Sequence, residues 1–217
     1  MKKAISIFSG GLDCTVATSV FDGEYDIHAI TFNYGQKAFT QELKASKRIC
    51  EKMGWNHEVI DLPWLASISN SSLNTDEDIP EVSADDLDDL NKSSKTASNV
   101  WVPARNTVFT SIGLAYAESV GAKIIIVGWN NEEGATFPDN SSEFLEEFNE
   151  LVSVGSPDKI RIEAPCIDLN KEELVELGVK VGAPMKLSYS CYKGEDEPCG
   201  VCESCVRRNR AFEKVGI

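Results

Sequence analysis

Short unbroken apolar runs alternate along the chain with stretches whose apolar positions recur every three or four residues. The first run, residues 4–8, is continuous and reads as a strand covered on both faces. Further strands are predicted at 28–33, 58–62, 124–127 and 161–167, the fourth being four β-branched residues in a row. Helices are predicted between them: 13–21; 39–52, with Gly54 past its end; 103–120, with Pro103 in its first turn; 142–151; and 171–177. Asn170 with Glu173 three residues later has the form of a capping box, and Gly178 is placed to stop that helix. Strands alternating with helices predict a parallel α/β sheet, and such sheets bind ligands beyond the carboxyl ends of their strands. No internal repeat interrupts the alternation.

The pattern breaks at residues 67–99, which are polar, acidic and without aromatic side chains. The expectation is a solvated insertion with one short helix at 84–90, and a lid over the site is the alternative. Composition sharpens this. The net charge is −14, which opposes non-specific binding to nucleic acid or to an anionic membrane. Residues 75–95 carry eight acids and two lysines, so they supply −6 of that total and leave the remaining surface milder. No apolar stretch approaches the roughly 18 residues of a membrane span, and the apolar run after Lys2 and Lys3 is too short for a signal peptide. A cytoplasmic protein with no nucleic-acid or membrane partner is expected, its seven cysteines reduced or metal-bound.

Chemistry concentrates in two places. At the end of the first predicted strand stands Ser9-Gly10-Gly11-Leu12-Asp13-Cys14. Two glycines let the backbone turn sharply and lie against a ligand, and the free N–H groups of the helix that follows form an anion site. Ser9 adds a hydroxyl donor, and Asp13 can hold the turn or contact Mg²⁺. The stretch lacks the Lys-Ser/Thr of a Walker loop and the spacing of a dinucleotide fingerprint. An ordinary strand-to-helix turn is the bland alternative. The second place is the C-terminal tail, where Cys191, Cys199, Cys202 and Cys205 form C-x7-C-x2-C-x2-C. Two-residue gaps let neighbouring thiolates grip one ion, and four thiolates close a tetrahedral structural zinc site, one zinc per chain. Part of an iron–sulfur ligand set and disulfides are the other readings. Cys50 and Cys166 read as small apolar core side chains.

Taken in order, FSGGLD (8–13), FNYGQ (32–36), VPARN (102–106), FPD (137–139) and SCY…PCGxCxSC (190–205) resemble the 7-cyano-7-deazaguanine synthase family (QueC) of the PP-loop ATP pyrophosphatases. Three positions depart from the family pattern: Cys14 stands where Ser or Thr is usual, and Asn140-Ser141 stand where Cys-Arg is usual, so an expected substrate-site arginine is absent. The resemblance implies a doubly wound parallel sheet of the adenine nucleotide alpha-hydrolase-like type, spanning residues 1–185, with a small C-terminal zinc-binding region at 186–217. It implies Mg-ATP, ammonia and 7-carboxy-7-deazaguanine as small-molecule substrates, acyl-adenylate and amide intermediates, and a homodimer. By the same resemblance ATP falls to Phe8, Ser9, Gly10, Gly11, Leu12, Asp13, Cys14, Thr15, Val16, Ala17 and Thr18, with Tyr34 and Gln36 on the adenine side. Ser9, Asp13, Arg105 and Asp139 are the implied catalytic residues, Arg105 for a phosphate or the substrate carboxylate and Asp139 for the guanine-like edge. A tRNA thiolation enzyme of the same superfamily and a zinc-ribbon RNA-binding module, supported by Arg207, Arg208 and Arg210, are the rival readings.

Overall fold

The computed structural model describes the backbone of all 217 residues and the side chains of all but Asp85, Asp88, Leu90 and Asn91. Five parallel strands form one sheet: β1 (Lys2–Ile7), β2 (Tyr25–Asn33), β3 (Asn56–Asp61), β4 (Ile124–Ile126) and β5 (Arg161–Glu163), in the order β3-β2-β1-β4-β5. The chain therefore winds outward from β1 to one edge, returns across the sheet, and winds outward again from β4. Alternate residues of each strand point to opposite faces. Ala4, Ile27, Ala29, Ile124 and Ile126 lie under α1 (Leu12–Ser19), α2 (Phe39–Met53), α8 (Lys171–Lys180) and α9 (Glu203–Val215). Ile5, Ile30, Phe32, Ile125 and Ile162 lie in the core shared with α5 (Arg105–Val120) and α7 (Ser142–Gly155). Both faces are covered, which is why these strands read as continuous apolar runs. The remaining helices are short: α3 (Pro63–Ser67), α4 (Leu90–Asn99) and α6 (Asn131–Gly134).

Several boundaries differ from expectation, for local reasons. The capping box at Asn170 and Glu173 is formed, but Gly178 does not end α8. It lies inside the helix, where a Cβ would come 2.4 Å from Met185 Sδ and 2.9 Å from Val16, so the glycine serves close packing of α8 on α1. The last strand stops at Glu163, and residues 164–167 leave the sheet in turns. The long helix begins at Arg105, not Pro103, because Ala104 at its start adopts a left-handed backbone with φ +50°.

The acidic stretch is not a free solvated insertion. Its helical content is a 3₁₀ turn at Asp85–Asp88 followed by α4, which sequence periodicity missed. Leu73, Ile79 and Ala97 are buried in the main core. The Lys37 N–H donates to the Leu73 carbonyl, the Asn74 side chain donates to the Tyr34 carbonyl, and the Val82 N–H donates to the Val201 carbonyl. A few apolar residues thus clamp the stretch onto the loop after β2 and onto the cysteine-bearing tail. The C-terminal tail is likewise part of the main body, since α9 packs along α8 and buries Ala211 in the core beneath it.

Candidate active site

The strand order reverses between β1 and β4, and that reversal opens a crevice at the carboxyl end of the sheet. The glycine loop occupies it. Gly10 has φ +76°, and a Cβ there would meet Ser46 N of α2 at 2.5 Å, so this glycine serves the turn and its packing and does not face the cavity. Gly11 has an ordinary extended backbone (φ −71°, ψ 171°) and lines the cavity. Beyond it α1 begins. The Thr15 N–H starts the helical ladder on the Gly11 carbonyl, so the first-turn amides of Asp13 and Cys14 have no protein acceptor among the described hydrogen bonds. Gly128, after β4, faces them closely: a Cβ there would lie 2.6 Å from Cys14 N. A residue without a side chain is needed at that position for β4 to approach the start of α1.

Side chains around the loop divide sharply. Phe8, Ser9, Leu12, Asp13 and Cys14 line the cavity. Thr15, Val16, Ala17 and Thr18 are buried and turn away; Thr15 donates to the Gly11 carbonyl and Thr18 to the Cys14 carbonyl. Cys14 Sγ lies 3.4 Å from the Gly11 carbonyl and 3.5 Å from Ser9 Oγ. Burial pushes its thiol pKa up, which keeps the sulfur protonated and argues against a nucleophile.

Asp13 meets a partner that no local motif announced. Lys171, the first residue of α8, donates to both Asp13 carboxylate oxygens at 2.8 Å and to Glu133 Oε1 at 3.2 Å. The Lys171 side chain is 8% exposed, Asp13 21% and Glu133 30%. Burial raises the Asp13 pKa to about 6, against the pull of Lys171 and with help from the Glu133 charge. Burial works against the Lys171 charge, but the carboxylates outweigh it and hold the ammonium firmly protonated. Arg207 of α9 adds a second layer, pairing with Glu203 and with Glu132, whose other oxygen accepts the Lys171 N–H. The glycine loop, α6, α8 and α9 thus meet in one charged network beneath the cavity.

The opposite wall carries the second motif pair. Tyr34 and Gln36, just past β2, line the cavity. The Gln36 side chain receives the Tyr34 N–H and donates to the Phe32 carbonyl and to Glu42, which fixes this corner. Arg105 donates to the Tyr34 hydroxyl at 3.2 Å and also lines the cavity. No carboxylate pairs with its guanidinium within 4 Å among the described ion pairs, so it presents a half-buried cation with donors to spare. Asp139 is buried but lies outside the cavity lining. It accepts the Asn106 N–H at 3.3 Å, and the Asn106 side chain returns to the Asp139 carbonyl at 3.1 Å. The carboxylate thus caps the start of α5 and holds the turn that aims Arg105. Asn140, the first residue of the departing Asn140-Ser141 pair, does line the cavity.

The tail supplies the remaining wall. Tyr189, Ser190 and Tyr192 line the cavity beside Cys191. The Tyr189 N–H donates to the Gly10 carbonyl at 2.9 Å and the Leu12 N–H donates to Ser190 Oγ at 3.3 Å. The four sulfur atoms of Cys191, Cys199, Cys202 and Cys205 lie within 4.8 Å of one another. A tetrahedral Zn–S₄ centre with bonds of about 2.3 Å has sulfur–sulfur edges of about 3.8 Å, so small side-chain adjustments would close it. The Cys199 N–H donates to Cys191 Sγ and the Cys202 N–H to Cys199 Sγ, the backbone support that metal-bound thiolates receive. All seven cysteines are free of disulfides. The tail therefore brings a cysteine cluster that could hold a metal ion directly against the glycine loop.

A glycine loop without a Walker lysine, placed at the switch point of a doubly wound parallel sheet, defines an α/β nucleotide-binding protein of the PP-loop class. The fold agrees with a solved structure described as a predicted subunit of tRNA methyltransferase from Methanocaldococcus jannaschii: TM-score 0.52 over 100% of this chain and 90% of that one, at 14% identity. The family model described as Queuosine biosynthesis protein QueC matches residues 3–216, and the chain belongs to that family. Relatives named 7-cyano-7-deazaguanine synthase include those of Methanobrevibacter smithii (65% identical, covering 100% of this chain and 95% of that protein), Methanosphaera stadtmanae (62%; 99% and 95%) and Methanothermobacter thermautotrophicus (52%; 99% and 96%).

Proposed function

We infer that this chain converts 7-carboxy-7-deazaguanine and ammonia to 7-cyano-7-deazaguanine at the expense of ATP, in queuosine or archaeosine biosynthesis. A carboxylate is a poor electrophile. Its attack on the α-phosphate of ATP releases pyrophosphate and gives an acyl-adenylate, from which ammonia displaces AMP to form the amide. A second ATP adenylates the amide oxygen and releases pyrophosphate; the oxygen then departs with AMP as the nitrogen gives up its protons, leaving the nitrile. The protein's tasks are to hold reactants in line and to stabilise negative charge as it moves onto leaving groups. The observation that carries the reading is the loop at residues 9–14, whose first-turn amides stand between a half-buried cation on one wall, Arg105, and the Lys171–Asp13–Glu133 network on the other.

In this reading the Gly11–Cys14 backbone and Ser9 bind ATP phosphates, and Tyr34 and Gln36 bound the adenine side. Arg105 holds the substrate carboxylate or the α-phosphate, and Asp139 positions Arg105 through the start of α5. Asp13 and Glu133 would face the Mg²⁺ that accompanies ATP. The four cysteines would hold one structural zinc. A homodimer in the cytoplasm is the form proposed; no helix among the described residues is long and apolar enough to cross a membrane. Incubation of the pure protein with the acid, ammonia and Mg-ATP should yield AMP, pyrophosphate and a product of nitrile mass. ADP as the nucleotide product would overturn the reading.

A further inference from the structure

Cys14 raises a question that the tail answers. At this loop position the family pattern has a hydroxyl able to donate to a ligand. Here the thiol is a weak donor, and its nearest acceptor is the Gly11 carbonyl at 3.4 Å. Ser9 Oγ accepts the Gly11 N–H at 3.2 Å and contacts the same sulfur, so the loop's own side chains largely bond one another. Ser190 stands at the same mouth. Its oxygen accepts the N–H of Leu12, the first residue of α1, and it lines the cavity. Among the described hydrogen bonds its hydroxyl proton has no protein acceptor, so that proton is left for a ligand.

We propose that Ser190 is an ATP-binding residue, donating its hydroxyl proton to a phosphate oxygen while its oxygen holds the Leu12 amide. The inference rests on the ATP reading above and adds a residue from outside the glycine loop. Placement favours a phosphate as acceptor: the Leu12 amide that orients Ser190 opens the helix whose next two N–H groups are unpaired. The hydroxyl is also held in place from both sides. Tyr189 is tied through its N–H to the Gly10 carbonyl, and Cys191 is anchored in the cysteine cluster. A donor fixed before the ligand arrives loses little entropy on binding, and a hydrogen bond to a charged acceptor is among the stronger kinds.

The test is calorimetric titration of the metal-loaded protein with ATP and, separately, with 7-carboxy-7-deazaguanine, comparing the unmodified chain with Ser190→Ala and Ser190→Thr. Ser190→Ala should bind ATP about tenfold or more weakly, with the acid's affinity and the metal content unchanged. Ser190→Thr, which keeps the hydroxyl, should recover most of the loss. In steady-state assays the alanine variant should raise KM for ATP more than it lowers kcat. Equal weakening of both ligands would mean that Ser190 only braces the wall. Weakening of the acid alone would assign the hydroxyl to the substrate carboxylate. Unchanged ATP affinity would remove the contact. Each of these three results overturns the proposal while leaving the enzyme reading in place. Failure of the unmodified chain to bind ATP overturns both.

Discussion

The two adjacent glycines of the loop are predicted to fail differently when each is given a methyl group. In Gly10→Ala the new Cβ would lie 2.5 Å from Ser46 N, 3.0 Å from Ser46 Cα and 3.1 Å from the Ala45 carbonyl carbon, all backbone atoms of α2 that cannot turn aside. The residue must also keep φ near +76°. A left-handed alanine costs about 1–2 kcal/mol and overpacking about 1–3 kcal/mol, together about 2–5 kcal/mol. For a chain of this size each kcal/mol moves Tm by about 2–4 °C, so a fall of roughly 5–20 °C is expected. In Gly11→Ala the backbone is already in a region open to any residue (φ −71°, ψ 171°), and the nearest obstacle is the movable Ser9 Oγ at 3.1 Å. Its Tm should stay within about 2 °C of the parent, because the methyl group also trims the entropy of the unfolded chain. That methyl group stands where phosphate must approach the amides of α1, so ATP affinity should drop by at least about tenfold. Thermal melts and ATP titrations on both variants decide the matter. A Gly11→Ala protein as unstable as Gly10→Ala, or one that binds ATP normally, would refute this division of roles.

Other expectations follow from the same geometry. The Asp13 pKa is raised from its ordinary 3.8 to about 6, so the folded state takes up a proton more readily than the unfolded chain. The stability that this group contributes is complete below about pH 3.8 and is lost as pH rises through 6. Asp13→Asn should therefore flatten the change of Tm between pH 4 and 7, and parallel curves for the two proteins would contradict the assignment. Cys202→Ser should lower bound zinc, Tm and ATP affinity together, because the cysteine cluster braces Tyr189 and Ser190 against the loop; metal loss with unchanged ATP affinity would separate the two. Cys14→Ser should keep nitrile formation or improve it, since a hydroxyl is the better donor. An inactive Cys14→Ser protein with normal fold and zinc would mean that the sulfur has a chemical task.

What could be read from the chain was what lies close together along it. The strands were legible because both faces of the sheet are covered, so Ile124, Ile125 and Ile126 are all buried regardless of direction. The glycine loop and the four-cysteine spacing were legible because each is a local device. Lys171 was not, since its partner Asp13 lies 158 residues away and only the return of the chain to α8 joins them. Gly128 was hidden for the same reason, and Ser190, though it opens a quoted motif, gave no sign of its contact with Leu12: a serine beside a cysteine, or a glycine after a strand, acquires meaning only from what faces it. Asp139 shows the converse. Its motif was visible, but its carboxylate caps α5 outside the cavity lining, and a cap and a ligand contact look alike in sequence. The acidic stretch misled because its many charges are conspicuous, whereas Leu73 and Ile79, which clamp it to the core, are few. Helix α9 escaped notice because it begins within the cysteine cluster, whose spacing invites reading as a loop.

The central claim is that this site activates a carboxylate by adenylation and carries it through to a nitrile. The most direct measurement uses 7-carboxy-7-deazaguanine labelled with ¹⁸O in its carboxyl group, with ammonia and Mg-ATP, followed by mass spectrometry of both the base and the nucleotide. Transfer of label to AMP, with a product of nitrile mass and no ADP, is the predicted result. Unlabelled AMP, or label retained in the base while ADP and phosphate accumulate, would contradict the account.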